Sequence, residues 1–380
     1  MRLFIEPTEP LLFRSGRPFD AGQDNFAESL FPPTPETLQG AVRATIATYW
    51  DSRKNIAAAF NDPQLTARIG DREGYGRFRV TGISLGRYPR SKRMHDAQVE
   101  RLFPAPAHIM KDEKRLYRLF PHRLKESIST NFPSDMYYYL APDTQPDEEL
   151  KPLAGWLTET DLHRTLGTGD LTGIKSTSKE TICQEEPRLG IHVQSGTKAT
   201  EEGFLYQTVM LRMNHDVKHE YIYGFVVDII LTPPSPDDAP LSDTQVQQEL
   251  HLPDTGWMTL GGEQRAAHFR VLSTPQTPAR PLSREHALLY LATPATFDTG
   301  WKPSSKFAPL DAPLTAAITR YESIGGWKLN PGDAKGENKA MHRCVPAGSV
   351  YFYDKRVTPP QAMTDYGMEI GYGITVEGEW

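Results

Sequence analysis

Proline punctuates this chain so closely that long uninterrupted strands and helices have few places to form. Breaks fall at Pro7 and Pro10, at Phe31-Pro-Pro-Thr-Pro35, at Pro89, Pro104 and Pro106, through 232–240 and again through 274–281. Proline lacks an N–H and fixes φ, so it is excluded from the middle of a hydrogen-bonded ladder and from helix interiors. The 380 residues hold 32 prolines and 29 glycines against a hydrophobic share of 38%, a mix that gives short strands joined by turns and long connections. No run approaches the roughly 18 apolar residues of a membrane helix. The opening Met1-Arg2-Leu3-Phe4-Ile5-Glu6-Pro7 is charged and broken at once, unlike a signal peptide. Cys183 and Cys344 cannot make a disulfide framework and fit a reducing cytoplasm.

Between the breaks, periodicity assigns the elements. Residues 2–14 read as a bent strand. Leu38, Val42, Thr45, Ile46 and Tyr49 lie on one helix face, with Thr34 as N-cap and Pro35 at the first helical position. Gly40 inside that helix costs about 1 kcal/mol relative to alanine, which fits close packing on a sheet or a ligand. Strands are expected over 77–85 and 221–231, a long hairpin over 188–213 with a polar tip near Ser195, and two strands around Gly261-Gly-Glu-Gln-Arg265. Residues 274–281 are the best linker. Beyond it come strands over 287–292, 350–353 and 369–376, and a helix over 314–323. This order predicts α+β, with a ferredoxin-like (RRM-like) β-α-β-β-α-β core in each half. The first domain would span 1–274 and carry a basic insertion, the second 275–380 with a glycine-rich loop.

The net charge of −6 disfavours a nucleic-acid binder, but its distribution does not. Residues 72–125 hold 14 Lys/Arg against five Asp/Glu, a local +9 that leaves −15 for the remainder. Such an island, with Arg90, Lys92 and Arg93 at its centre, can focus an anion although the whole chain repels it. The motifs of serine hydrolases, zinc proteases, P-loop proteins and CxxC proteins are missing. Gly167-Thr-Gly-Asp-Leu-Thr-Gly173 lacks the phosphate-loop spacing and reads as a loop. His215 and His219 are four apart, between strand-like runs, so a turn is expected rather than a metal site. His192 and His342 are the histidines a ribonuclease reading would use as acid or base. Glycine next to arginine or aromatic residues recurs at Arg14-Ser-Gly-Arg17, Gly261-Gly262 with Arg265, Gly325-Gly-Trp327, and Gly371-Tyr-Gly373. Glycine admits close approach of a phosphate to backbone N–H groups, and aromatic rings stack on bases.

Phe31-Pro-Pro-Thr-Pro-Glu-Thr-Leu-Gln-Gly-Ala-Val-Arg43 resembles the strand-to-helix motif of the RAMP superfamily of CRISPR proteins. Leu12-Phe-Arg-Ser-Gly-Arg-Pro-Phe19 is similar to the start of the family of third subunits of the type III-B (Cmr) effector complex. Further landmarks agree in order: Arg188-Leu-Gly-Ile191 with Glu202-Gly-Phe-Leu-Tyr206, Leu260-Gly-Gly-Glu-Gln-Arg265, Gly325-Gly-Trp327, Val345-Pro-Ala-Gly-Ser-Val-Tyr351, and Gly371-Tyr-Gly-Ile-Thr-Val-Glu-Gly-Glu-Trp380. The stretch 91–181 carries no family motif.

The resemblance implies a non-catalytic, cofactor-free RNA-binding subunit in the cytoplasm. It would hold the 5′ tag of the CRISPR guide RNA, dock the large polymerase-type subunit and adjoin a neighbouring RAMP backbone subunit. The alternatives are a RAMP-type endoribonuclease processing repeat RNA, and a protein-only scaffold. RNA is expected against the C-terminal glycines Gly371 and Gly373 and the first helix, flanked by Arg14, Arg17 and Arg43. Arg90, Lys92, Arg93, Arg265 and the hairpin residues Arg188 and Lys198 complete the expected contact set. In related RAMP proteins a hairpin of this kind acts as a thumb.

Overall fold

The computed structural model describes the chain except for residues 15–25, 28, 52–54, 72, 95–97, 126–136, 168, 194–199, 215, 217, 274–284, 304–306, 308–311, 329–336 and 361. The opening strand, β1 (Arg2–Pro7), stops at its proline. The short β2 (Phe26–Ala27) precedes α1 (Pro35–Trp50), α2 (Ile56–Ala59) and α3 (Pro63–Ile69). Strand β3 (Phe78–Pro89) leads to β4 (Glu100–Pro104), β5 (Ile109–Lys111), β6 (Leu116–Arg123), β7 (Tyr138–Pro142), β8 (Lys151–Pro152) and β9 (Trp156–Thr158). Helices α4 (Glu159–Leu166) and α5 (Lys179–Ile182) precede the hairpin β10 (Cys183–Val193) and β11 (Thr200–Met213). Then come β12 (Tyr221–Leu231), α6 (Asp243–Glu249), β13 (Thr255–Leu260) and β14 (Arg265–Leu272). The last third holds β15 (Ala287–Leu291), β16 (Thr315–Ala317), β17 (Glu322–Ile324), β18 (Trp327–Lys328), β19 (Glu337–Asn338), β20 (His342–Cys344), β21 (Val350–Tyr353) and β22 (Thr375–Glu379).

The largest sheet runs β13-β14-β1-β12-β3-β4-β9. Its β1, β3, β12 and β14 stand in the spatial order fourth-first-third-second, with α1 after the first strand and α6 after the third. Period-two alternation splits β1 between two layers. Leu3 and Ile5 meet Leu38, Val42 and Ile46 of α1, while Phe4 packs with Tyr88, Met94 and Val226 on the opposite face. α1 starts where its sequence signals it: the Thr34 side chain accepts from the Thr37 N–H, and Pro35 opens the helix. Near the other end, the Tyr49 hydroxyl takes the N–H of Trp257 at 3.1 Å and lies 3.4 Å from its carbonyl. That contact occupies the outer backbone groups of edge strand β13, which would otherwise offer a template for pairing.

A second sheet, β16-β21-β15-β22, repeats the same order with antiparallel neighbours. No α-helix occurs among the described residues of 287–380. α4 lies between the two sheets: Leu162 and Leu166 join Phe103 against Leu288, Tyr290 and Phe352. The Tyr290 hydroxyl donates to the Pro104 carbonyl at 2.7 Å, and the Ala107 N–H donates to that of Gly348 at 2.8 Å. Overall the fold is α+β with antiparallel pairings throughout, apart from the short parallel contact of β2 with β11.

Three expectations need correction. The helix expected over 314–323 is instead β16, a turn and the start of β17, because β16 hydrogen-bonds along Val350–Phe352 of β21. Its residues Thr315, Ile318, Thr319 and Tyr321 suit strands. The basic stretch, expected to be broken at Pro89, Pro104 and Pro106, contains β4, β5 and β6; Pro89 and Pro104 end strands rather than interrupt them. The final strand begins at Thr375, after a 3-10 turn over Met368–Ile370 and Gly371 at φ 97°.

A half-buried ion cluster, with Arg2 its buried member, ties these elements together. Arg2 donates to Asp228 through Nε at 2.6 Å and Nη2 at 2.9 Å, a fork-on-fork pair between directly opposed residues of β1 and β12. Arg101 of β4 reaches the same carboxylate at 3.4 Å and also grips Glu159, the first residue of α4, with Nε at 2.9 Å. Burial works against the Glu159 carboxylate, but hydrogen bonds from His163 and Arg101 outweigh it and hold its pKa down to about 2. Removing one member of a buried pair leaves its partner charged and desolvated, at about 3–5 kcal/mol. Asp228→Ala should therefore lower the urea-unfolding free energy by about that much. A loss below about 1 kcal/mol, the level of an exposed pair, would contradict this account of the cluster.

Candidate nucleic-acid interface

Folding gives most of the basic island's described arginines a partner within the protein. Arg77 meets Glu249 at 2.8 Å, Arg79 donates to the carbonyls of Gly76 and Phe78, and Arg87 pairs with Glu100 at 2.7 Å. Arg90 clamps the 216–219 turn through the carbonyls of His219 (2.9 Å) and Asp216 (3.2 Å). Arg115 hydrogen-bonds the Tyr117 hydroxyl, and buried Arg118 donates to the Glu379 carbonyl. Lys92, Arg93, Lys111, Arg123 and Lys125 are exposed and have no ion pair or side-chain hydrogen bond among the described residues. A charge already satisfied within the protein gains little from a phosphate, so these five carry what remains of the island.

The other expected contacts divide in the same way. Arg43 donates to the Asp71 carbonyl at 2.5 Å and the Gly74 carbonyl at 3.2 Å, and its guanidinium lies over Tyr75 and Phe60. Burial pulls its pKa below the ordinary arginine value. Arg188 meets Glu186 at 2.6 Å within the hairpin, and Arg265 meets Glu263 of its own turn. Arg14 is exposed beside a bridge to Ser29. Arg17 and Lys198 lie outside the described residues. Gly371 and Gly373 are buried. A Cβ at Gly371 would lie 2.8 Å from Val80, and one at Gly373 only 2.5 Å from the Met363 carbonyl. The Gly373 N–H donates to the Pro294 carbonyl at 2.8 Å. These glycines seat the C-terminal turn on β3.

Folding does bring three of the sequence landmarks to one place. The start of α1, the Gly325-Gly326 pair and the C-terminal turn line a cleft of about 230 Å³, open solvent at its mouth included. Glu36 anchors it, bonded to Lys339 at 2.7 Å and to the Tyr366 hydroxyl at 3.1 Å. A Cβ at Gly326 would lie 3.0 Å from the Glu36 carboxylate. His342 stacks on Tyr366 with centroids 4.2 Å apart. Only about 10 Å³ of that space is free to the centre of a water-sized body, room for a single water, so the cleft cannot enclose a nucleotide. No group of three His, Cys, Asp or Glu among the described residues could hold a metal ion.

The expected hairpin is present, with β10 and β11 paired from Cys183–Met213 outward. Leu211 exchanges hydrogen bonds with Leu11 at 2.9 Å, and Cys183, Leu211 and Met213 join the main core. Further out, Leu189 is exposed; the tip lies outside the described residues. One exposed basic-aromatic surface escaped the sequence: Arg320, Tyr321 and Arg343 on the β17–β20 ribbon. The helix assigned over 314–323 hid it, although Met341-His-Arg-Cys344 alternates outer and inner residues with period two.

A family model described as CRISPR-associated protein (Cas_Cmr3) matches residues 3–380. No curated protein matches the chain. Two cryo-EM structures of a type III-B Cmr-β complex bound to cognate target RNA, one of them also with AMPPnP, each contain a chain 16% identical to this one, with 93% of this chain and 86% of that chain covered. Their TM-scores are 0.43 and 0.42.

The two classes of cation make opposite predictions. Arg43→Ala should cost about 1.5–3 kcal/mol of stability, the range for hydrogen bonds from charged groups, and leave the salt slope of RNA binding unchanged. Lys92→Ala with Arg93→Ala should leave stability within about 0.5 kcal/mol. It should reduce the slope for single-stranded RNA by about 0.7 per lost phosphate contact. Urea melts and binding titrations across salt check both, and the reverse pattern would contradict the division.

Proposed function

The chain belongs to the Cas_Cmr3 family of CRISPR-associated proteins over residues 3–380, and from that membership we propose that it is an RNA-holding subunit of a type III-B effector complex that does no chemistry itself. In this role it holds the 5′ tag of the guide RNA, docks the large polymerase-type subunit and adjoins a RAMP backbone subunit. The observation that carries the reading is the convergence of the family landmarks. The start of α1, Gly325-Gly326 and the C-terminal turn, far apart in sequence, frame one shallow cleft.

The two sheets, each with strand order fourth-first-third-second, support a division into two ferredoxin-like domains, 1–274 and 275–380. The linker expected between them lies outside the described residues. RNA passes across the cleft, with Arg14, Arg17, Lys92, Arg93 and Lys198 as its cationic contacts. Arg43, Arg90, Arg188 and Arg265 support the backbone around them, because each would have to leave an internal partner to reach a phosphate. The hairpin of β10 and β11, rooted in the core, is the thumb that meets the guide–target duplex.

Reconstitution tests this reading. The chain should co-elute with the large subunit and guide RNA in gel filtration, and removing the 5′ tag from the RNA should weaken its retention. Labelled repeat RNA incubated with the chain and a divalent metal should stay intact. Cleavage that survives purification and disappears in His342→Ala would overturn the non-catalytic reading in favour of an endoribonuclease. Failure to co-elute with or without RNA would remove the assembly role.

A further inference from the structure

The β17–β20 ribbon is two-faced. Ser323 stands opposite Arg343 and Ile324 opposite His342. Ile324 and Cys344 are buried with Ile370 and Tyr372, so one face forms a wall of the cleft and its core. The other face turns outward and carries Tyr321, 56% exposed, Met341, 49% exposed, and the exposed Ser323 and Arg343. The Arg343 guanidinium lies over the Tyr321 ring, 5.5 Å from its centroid. Exposed Arg320 adjoins them, and neither arginine has a carboxylate partner among the described residues. Glu322, the carboxylate of β17, is also exposed, but it stands opposite Cys344, a register position on the other side of the ribbon from Ser323 and Arg343.

The other exposed aromatic residues among those described lack this combination. Trp257 has the His268 ring against its edge at 5.1 Å, and the arginine further along that face, Arg270, is buried. Tyr137 and Tyr139 alternate onto the face of the β6–β7 pair opposite Arg123 and Lys125. At the ribbon, aromatic and cationic groups share one face. An exposed ring flanked by guanidinium groups offers a base a stacking surface and its phosphates a countercharge. A protein partner would have to bury two arginines, for which the outer face of the ribbon supplies no counterion among the described residues.

We propose that the outer face of the β17–β20 ribbon is a stacking shelf for an unpaired nucleotide of single-stranded RNA, with the base on Tyr321 and Met341 and the flanking phosphates on Arg320 and Arg343. This rests on the RNA-holding reading and adds a contact outside the cleft. Stacking is insensitive to base identity, so the shelf holds any base and fixes the path of the strand leaving the cleft.

The test uses the reconstituted complex with guide RNA, measuring affinity across a range of salt concentrations. Tyr321→Ala should weaken RNA binding about tenfold, equivalent to about 1.4 kcal/mol, with little change in salt slope. Tyr321→Phe, which keeps the ring, should bind as the unaltered chain does. Arg320→Ala and Arg343→Ala should each reduce the slope by about 0.7. If the unaltered complex does not retain RNA, the RNA-holding reading fails and the shelf fails with it. If it retains RNA and the Tyr321 and arginine variants match it in affinity and slope, the shelf alone is overturned. Loss of a protein subunit from Tyr321→Ala, with RNA affinity intact, would make the face a protein dock and would also overturn it.

Discussion

Asp228 is the residue on which the architecture turns. Its carboxylate takes both arms of Arg2 from the strand beside it and a third contact from Arg101 two strands away. Through Glu159, Arg101 passes the tie to α4, and α4 is the layer on which the second sheet rests. Well-made buried pairs of this kind need good geometry, since desolvation otherwise exceeds the attraction. Here directly opposed strand residues supply that geometry. The cluster thereby orients the second sheet, and with it the ribbon and C-terminal turn that close the cleft against α1.

The same economy explains why charge along the sequence misleads about charge on the surface. Fourteen basic residues fall in 72–125, but arginine after arginine there is consumed by a carbonyl or a carboxylate. Arginine suits that task, because its planar fork satisfies several acceptors and stays charged when buried. The exposed remainder is richer in lysine: Lys92, Lys111 and Lys125 beside Arg93 and Arg123. On the proposed reading, the RNA meets a sparse set of free cations and, on the ribbon, an exposed ring.

Much of the first sheet was legible in the sequence. The Thr34 cap and Pro35, the helix face from Leu38 to Tyr49, the strand over 221–231 and the hairpin over 188–213 all carry local signals that agree with the tertiary structure. The second sheet was less so. Its strands Thr315–Ala317 and Val350–Tyr353 are short, and three or four residues do not distinguish period two from period 3.6. There the pairing partner decides, and it lies 37 residues away along the chain for Thr315↔Phe352 and 33 for Ala317↔Val350. The site was half legible. The glycine landmarks were visible as motifs, but Gly371 and Gly373 serve packing against Val80 and Met363, a role that depends on contacts distant in sequence.

If the chain holds RNA as proposed, it touches the strand directly, through the cleft rim, the free cations and the ribbon. Ultraviolet cross-linking of the assembled complex on guide RNA, with the attached peptides read by mass spectrometry, tests it most directly. Cross-linked peptides from this chain should include those containing Lys92–Arg93 and Tyr321. Cross-links confined to the neighbouring subunits, with this chain present in the complex and free of RNA adducts, would contradict it and leave a scaffold that binds protein alone.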